Sequence, residues 1–231
     1  MTYVIPAWDL PSLAVEGEAG RFPVRRIFCV GRNYAEHARE MGNDPDREPP
    51  FFFLKPADSL TPDGGNVPYP PATANLHHEV EMVAAIGKAG AEIAPDAAND
   101  HIYGYAVGLD LTRRDLQQVS KDRRWPWDTG KSFDSGAPCG NIAPASRIGH
   151  PARGAITLKV DGEPRQAGDL ADMIWSVPEI IGHLSRLFTL KPGDLIYTGT
   201  PAGVGPVTPG QRLDGEVEGV GTLSITVGGA N

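Results

Sequence analysis

The sequence predicts a mixed, β-rich α+β fold with a few short helices. Glycine and proline are abundant, 28 and 22 of 231 residues, and lie scattered between apolar segments rather than in a repeat. That pattern calls for many turns and short strands. The apolar segments are mostly short, and no regular strand-helix-strand alternation supports a doubly wound sheet. A chain of this length can bury one large core, so a single domain is expected over residues 25–231, preceded by a short N-terminal appendage at 1–24 with weak strands.

Each element follows from local chemistry. The stretch RRIFCV at 25–30 reads as the first buried strand, ending at Gly31. NYAEHAREM at 33–41 reads as a short helix that Asn33 caps and that Gly42, Asn43, Asp44 and Pro45 stop. PPFFFL at 49–54 reads as a strand. Five prolines and two adjacent glycines then impose a long loop over 55–76, the kind of segment that often carries function. HEVEMVAAIG at 78–87 and IYGYAVGLD at 102–110 read as strands joined by a turn at 95–99. Residues 113–120 form a helix, 121–127 a basic and aromatic loop, and Asp161-Gly162 a hairpin between 155–160 and 163–166. Ile174, Val177, Ile181, Leu184 and Leu187 mark a helix over 173–187, with Pro178 tolerated in its first turn. Strands return at 194–198 and 212–227.

Charge and composition exclude several functions. The formal net charge of -8 opposes a nucleic-acid or anionic-membrane partner, because both need a dominant basic face. Cys29 and Cys139, the only two cysteines, cannot build a disulfide framework. No segment approaches the roughly 20 apolar residues of a membrane span, and the start of the chain lacks a signal-peptide pattern. A soluble, unprocessed cytoplasmic protein is expected.

Two sets of polar residues carry candidate chemistry. In His77-His78-Glu79-Val80-Glu81 the strand period of two puts Glu79 and Glu81 on one face. Adjacent carboxylates repel unless a cation lies between them, and oxygen-rich sites suit Mg²⁺, Mn²⁺ or Ca²⁺. Asp110, ending an apolar strand, is the natural third acid. Periodicity alone favours the other reading, with Glu79 and Glu81 on the solvent face of an edge strand, since alternating polar residues are the normal signature of half-buried strands. His78 lacks the partners a zinc site needs. His37 and Glu40, three apart, share a helix face, an arrangement that can activate water or simply be a surface pair. Lys131 follows Thr129-Gly130, but a phosphate-binding loop would need glycine where Trp125 stands.

Taken with Val30-Gly31-Arg32-Asn33-Tyr34, Gly108-Leu109-Asp110, Lys131-Ser132-Phe133-Asp134, Lys191-Pro192-Gly193-Asp194 and the run TGTPAGVG at 198–205, these residues make the chain resemble the fumarylacetoacetate hydrolase family from about Arg25 onward. The resemblance implies a β-roll of mixed sheets and a homodimer. It implies a Mg²⁺ or Mn²⁺ site on Glu79, Glu81 and Asp110, with His37 and Glu40 as a water-activating pair on a segment that orders over substrate. Lys131 would contact the metal-bound oxoacid, and Gln117 and Thr200 match substrate-binding positions. The stretches NYAEH at 33–37 and PFFFLKP at 50–56 resemble the branch that cleaves fumarylpyruvate in gentisate degradation.

The implied reaction is hydrolysis of a carbon–carbon bond in a small oxoacid, an acylpyruvate. Its distal carboxylate needs a cation, for which Arg32, Arg114, Arg123 and Arg124 are candidates because guanidinium pairs bidentately with carboxylate. Oxaloacetate decarboxylation and dienoate hydration or isomerisation share the enolate chemistry, and a non-catalytic metal-binding assembly protein is the alternative from another class.

Overall fold

The computed structural model describes residues 2–40 and 48–230. As expected, it is a β-rich roll of mixed sheets with a few short helices. The largest sheet runs in the order Phe51–Lys55, Arg26–Gly31, Asp194–Tyr197, Val80–Ile86, Ile102–Leu109, Ala137–Cys139 and Leu60–Pro62, with Ala143–Pro144 also paired to Ile102–Leu109. A second sheet runs Glu163–Asp169, Ala155–Val160, Arg212–Val217, Gly221–Ala230 and Asn66–Tyr69. Val80, Met82 and Val107 of the first sheet and Leu158, Leu213 and Leu223 of the second belong to one buried cluster, so the main core lies between the sheets. At about 25 cal/mol per Å², burial of such side chains is the dominant favourable contribution to folding. On the other face of the first sheet, Leu13, Val15, Phe22 and Val24 of the N-terminal segment pack with Ile27, Cys29 and Tyr197.

Most elements fall where expected, and the differences have identifiable causes. The stretch 78–87 is not one strand. Leu76–His78 pairs in a small sheet with Thr112–Arg113 and Gly205–Val207, Val80–Ile86 enters the large sheet, and Glu79 stands at the crossover between them. The expected loop at 55–76 contains the strands Leu60–Pro62 and Asn66–Tyr69, each at a sheet edge, where a proline's missing N–H can face away from the ladder. A 3₁₀ helix, Pro95–His101, replaces the turn at 95–99.

Among the helices, Val177–Leu187 starts later than the apolar spacing suggests. Ser176 and Glu179 form a reciprocal capping box there, with Pro178 in the first turn as expected. Arg114–Arg123 runs past Ser120 into the expected basic loop and stops at Arg124, which takes φ 57°. Lys121 and Arg123 suit its C-terminal turn, where the helix dipole favours cations. Ala35–Glu40 is helical; the expected stop at Gly42 to Pro45 lies outside the described residues. Asn33 does not cap this helix. Its side chain donates to the carbonyls of Trp175 and Thr198 and accepts from the N–H of Trp175, joining three segments.

The register of the large sheet is pinned by Asp194, the last residue of Lys191-Pro192-Gly193-Asp194. Its fully buried carboxylate accepts from Arg25 (3.2 Å), from Arg26 (3.0 and 2.6 Å) and from the N–H of Lys191 (2.9 Å). Removing the acid leaves the Lys191 N–H and two partly exposed guanidinium groups without their acceptor. Asp194→Ala should therefore lower unfolding stability by about 1–2 kcal/mol, read as a reduced midpoint in a denaturant titration; an unchanged midpoint would refute that role.

Candidate metal centre and active-site cleft

Three strand ends build the centre. Glu79 sits at the crossover between sheets, Glu81 two residues into Val80–Ile86, and Asp110 just after Ile102–Leu109. The pairing of Glu81 with Gly108 in the ladder and the bond from the Asp110 N–H to the Glu79 carbonyl (2.9 Å) bring the three together. All three are at least nine-tenths buried, and one potential ligand oxygen from each lies within 4.8 Å of the others. Oxygens bound to a common Mg²⁺ or Mn²⁺ at about 2.1 Å would be at most about 4.2 Å apart, so a small closure of this group completes such a site. The solvent-face alternative for Glu79 and Glu81 is excluded.

Basic groups compensate part of this charge. Lys131 Nζ donates to Glu79 Oε2 (2.8 Å), Asp110 Oδ2 (2.7 Å) and Thr112 Oγ1 (2.7 Å), while Arg114 pairs with Glu79 Oε1. Burial alone would raise the Glu79 carboxyl, but Lys131 and Arg114 hold it well below the ordinary carboxylate range. Glu81 behaves oppositely. Burial first, then the neighbouring charges of Asp110 and Glu79, push its carboxyl well above the ordinary value, against the bond that Gly199 N–H gives to Oε2 (2.7 Å). Lys55 Nζ stands 2.8 Å from Asp110 Oδ1 but directs its hydrogen bonds to the carbonyls of Leu111, Lys131 and Gly136. Asp110 Oδ1 is thus buried without a hydrogen bond. A Glu81 carboxylate disfavoured by burial and by its acidic neighbours, beside an Asp110 oxygen that accepts no hydrogen bond, is the place for a hard divalent cation, and the donor set, all oxygen, fits Mg²⁺ or Mn²⁺.

His37 and Glu40 face the same cleft. His37 Nδ1 lies 3.3 Å from Glu40 Oε2, and the Glu40 carboxylate accepts from Gly203 N–H (3.2 Å), tying the short helix to the loop after Thr198. Burial lowers the His37 pKa, and Glu79 and Glu40 only partly offset this, so the imidazole is neutral and able to take a proton. The cleft is also lined by Arg32, Phe51, Phe53, Arg114, Gln117, Lys121, Trp127, Lys131 and Thr200. Apart from Arg123 and Arg124, the residues picked out from the sequence as metal-binding, catalytic or substrate-binding therefore border one cavity or, for Glu40, contact its wall.

Two glycines make this convergence possible. A Cβ on Gly130 would lie 2.9 Å from the backbone of Gln117, so only glycine lets the Asp128–Lys131 turn settle against Arg114–Arg123 and deliver Lys131 inward. Gly199, at φ 98°, has no room for a Cβ beside Asn33 and presents its N–H to Glu81.

Four residues escaped the sequence reading. Lys55 shares a strand face with Phe51 and Phe53, a signal available from the period of two. Gln166 had none: it is the buried residue in a mostly exposed hairpin strand. Its Oε1 accepts from Val80 N–H and faces His78 Nδ1, while Nε2 donates to Thr200 Oγ1 and the Pro201 carbonyl, so it orients both sides of Glu79. Thr112 and Lys121 are the others. Arg123 stacks on Trp125 and Arg124 ends its helix, so neither lines the cleft.

The family model described as the C-terminal domain of fumarylacetoacetate hydrolase matches residues 26–228. A fumarylpyruvate hydrolase of Ralstonia sp is 48% identical over 192 residues, 82% of this chain and 100% of its own length. A mitochondrial oxaloacetate tautomerase of Mus musculus is 43% identical over 203 residues, 88% and 91% of the two chains. Among solved structures, fumarylpyruvate hydrolase from Pseudomonas aeruginosa in complex with Mn²⁺ and pyruvate superposes with a TM-score of 0.96 at 52% identity, covering 98% and 99% of the chains.

A cation that takes the Glu81 carboxylate must displace its proton. Mn²⁺ affinity should consequently rise with pH until the raised Glu81 carboxyl ionises without help, and flatten above that point. Calorimetry at about pH 6 in two buffers of different ionisation enthalpy should report proton release on binding; identical heats in both would contradict the assignment.

Proposed function

Because the chain belongs to the fumarylacetoacetate hydrolase family, we propose that it is a metal-dependent hydrolase acting on the carbon–carbon bond of a ketonic substrate, an acylpyruvate, with fumarylpyruvate first and fumarate and pyruvate as products. The observation that carries the reading is the meeting, in one cleft, of the acid cluster with a neutral His37 backed by Glu40. The Ralstonia and Pseudomonas relatives support the choice of substrate.

In this reading residues 25–231 form the catalytic domain, and Glu79, Glu81 and Asp110 hold Mg²⁺ or Mn²⁺. When bound, that ion supplies Lewis-acid stabilisation of charge on the carboxylate and 2-keto oxygens of the pyruvate half. His37 accepts the proton of a water aimed at the distal carbonyl, and Glu40, fixed by Gly203 N–H, stabilises the imidazolium that forms. Lys131, already among the acids, places its positive charge beside the site where negative charge develops on the departing pyruvate enolate. Thr200, oriented by Gln166, and Gln117, held by Arg114 (2.6 Å), line the walls and fix the substrate's orientation, while Arg32 stands at the outer end. The protein would act in gentisate degradation, as a cytoplasmic homodimer. No described helix is long and apolar enough to cross a membrane.

The mouse relative supports a second reading, tautomerisation of oxaloacetate. It needs His37 only to move a proton, without attack by water. A panel of fumarylpyruvate, acetylpyruvate and oxaloacetate with Mn²⁺ separates the two. His37→Ala and Glu40→Gln should each lower fumarylpyruvate kcat by about a hundredfold or more while leaving Mn²⁺ affinity close to the parent value. Near-normal turnover in either variant would remove the proposed pair.

A further inference from the structure

The cleft has a second charged end. From the acid cluster outward, Lys131 Nζ lies 5.0 Å from the Phe53 ring centre, Phe53 packs on Trp127 with ring centres 5.9 Å apart, and Trp127 meets Phe51 edge-on at 5.3 Å. A cation flanks each outer ring: Lys121 Nζ is 5.5 Å from the Trp127 ring centre and the Arg32 guanidinium 5.5 Å from that of Phe51. All six residues line the same cavity. Among the described residues, the contacts of Arg32 and Lys121 are with these rings, and neither has a carboxylate partner. Arg114, by contrast, is committed to Glu79 and Gln117.

We infer that Lys121 and Arg32 together seat the distal carboxylate of the substrate, which makes the enzyme selective for acylpyruvates that end in a second carboxylate across a short, planar, unsaturated spacer. This rests on the reading above and specifies its substrate class. The aromatic wall suits a flat spacer, which can lie on ring faces at little conformational cost. The uncompensated cations suit an anion and nothing neutral. Burial first, then the positive charges of Arg114 and Arg32, lower the Lys121 pKa, so the free site stores repulsion that an arriving carboxylate relieves. Arg32, which lines the cavity, also holds φ 59°, a left-handed backbone conformation that residues with a side chain rarely adopt.

The test compares Lys121→Met, Lys121→Arg and Arg32→Met with the parent on fumarylpyruvate and on acetylpyruvate, which lacks the distal carboxylate. The preference for fumarylpyruvate, as a ratio of kcat/KM values, should fall about tenfold to a hundredfold in both Met variants. The loss should appear mainly in KM, and Lys121→Arg should recover most of it. An unchanged ratio in both Met variants overturns the assignment. Calorimetry on the Mn²⁺-loaded protein supplies a readout independent of the reaction: 2-oxopimelate, whose second carboxylate is on the seventh carbon as in fumarylpyruvate, should bind about tenfold more tightly than 2-oxoheptanoate to the parent, and the difference should shrink in Lys121→Met. Should the parent hydrolyse neither acylpyruvate, the hydrolase reading fails while calorimetry still decides the carboxylate seat. A parent that binds both oxoacids alike refutes the seat even if hydrolysis is observed.

Discussion

Two unit negative charges about 5 Å apart repel by about 3 kcal/mol at an effective dielectric constant of about 20, and the protein buries three of them together. Net stability of a domain is only about 5–15 kcal/mol, so Glu79, Glu81 and Asp110 could not share a point unless the surrounding structure supplied opposing charge. Lys131, Arg114 and Lys55 do so for Glu79 and Asp110. Glu81 is left to retain a proton or meet a cation, and the centre is therefore poised for a divalent ion. Much of the neighbouring architecture serves this electrostatic constraint.

The polar residues that join separate segments show how. Asn33 ties the start of the His37 helix to Thr198 and Trp175; Gln166 reaches from the second sheet to both His78 and Thr200; Glu40 closes the loop onto the helix through Gly203. Each is a side chain spending several hydrogen bonds on backbone or on another side chain, and buried polar groups left half-satisfied would cost about 1–3 kcal/mol each. These ties also give the His37 helix a fixed relation to the acids, which general-base chemistry requires, since proton transfer fails when the base is misplaced by about an ångström.

The cleft divides its labour by polarity. Its inner end is acidic and compensated, matched to an ion and an oxoacid head; its outer end is cationic and uncompensated, with aromatic rings between. The chain's overall negative charge hides this, because net charge averages over the surface whereas recognition depends on the few charges within a cavity.

From the sequence alone one could read the β-rich class, most strands, the hairpin at Asp161-Gly162 and the carboxylates of the centre, because turn residues and a period of two are local properties of the chain. The motifs at 78–81, 108–110 and 198–205 also disclosed the family. The sequence could not say that Glu79 stands where the chain changes sheets, that Asp110 Oδ1 accepts no hydrogen bond because Lys55, though close to it, serves three carbonyls, or that Gln166 reaches Thr200. Nor could it choose among the arginines, since Arg114 is occupied by Glu79 and Arg123 faces Trp125. Those facts depend on groups tens of residues apart becoming neighbours, and only the packed sheets fix which charges share a low-dielectric pocket and which remain in water.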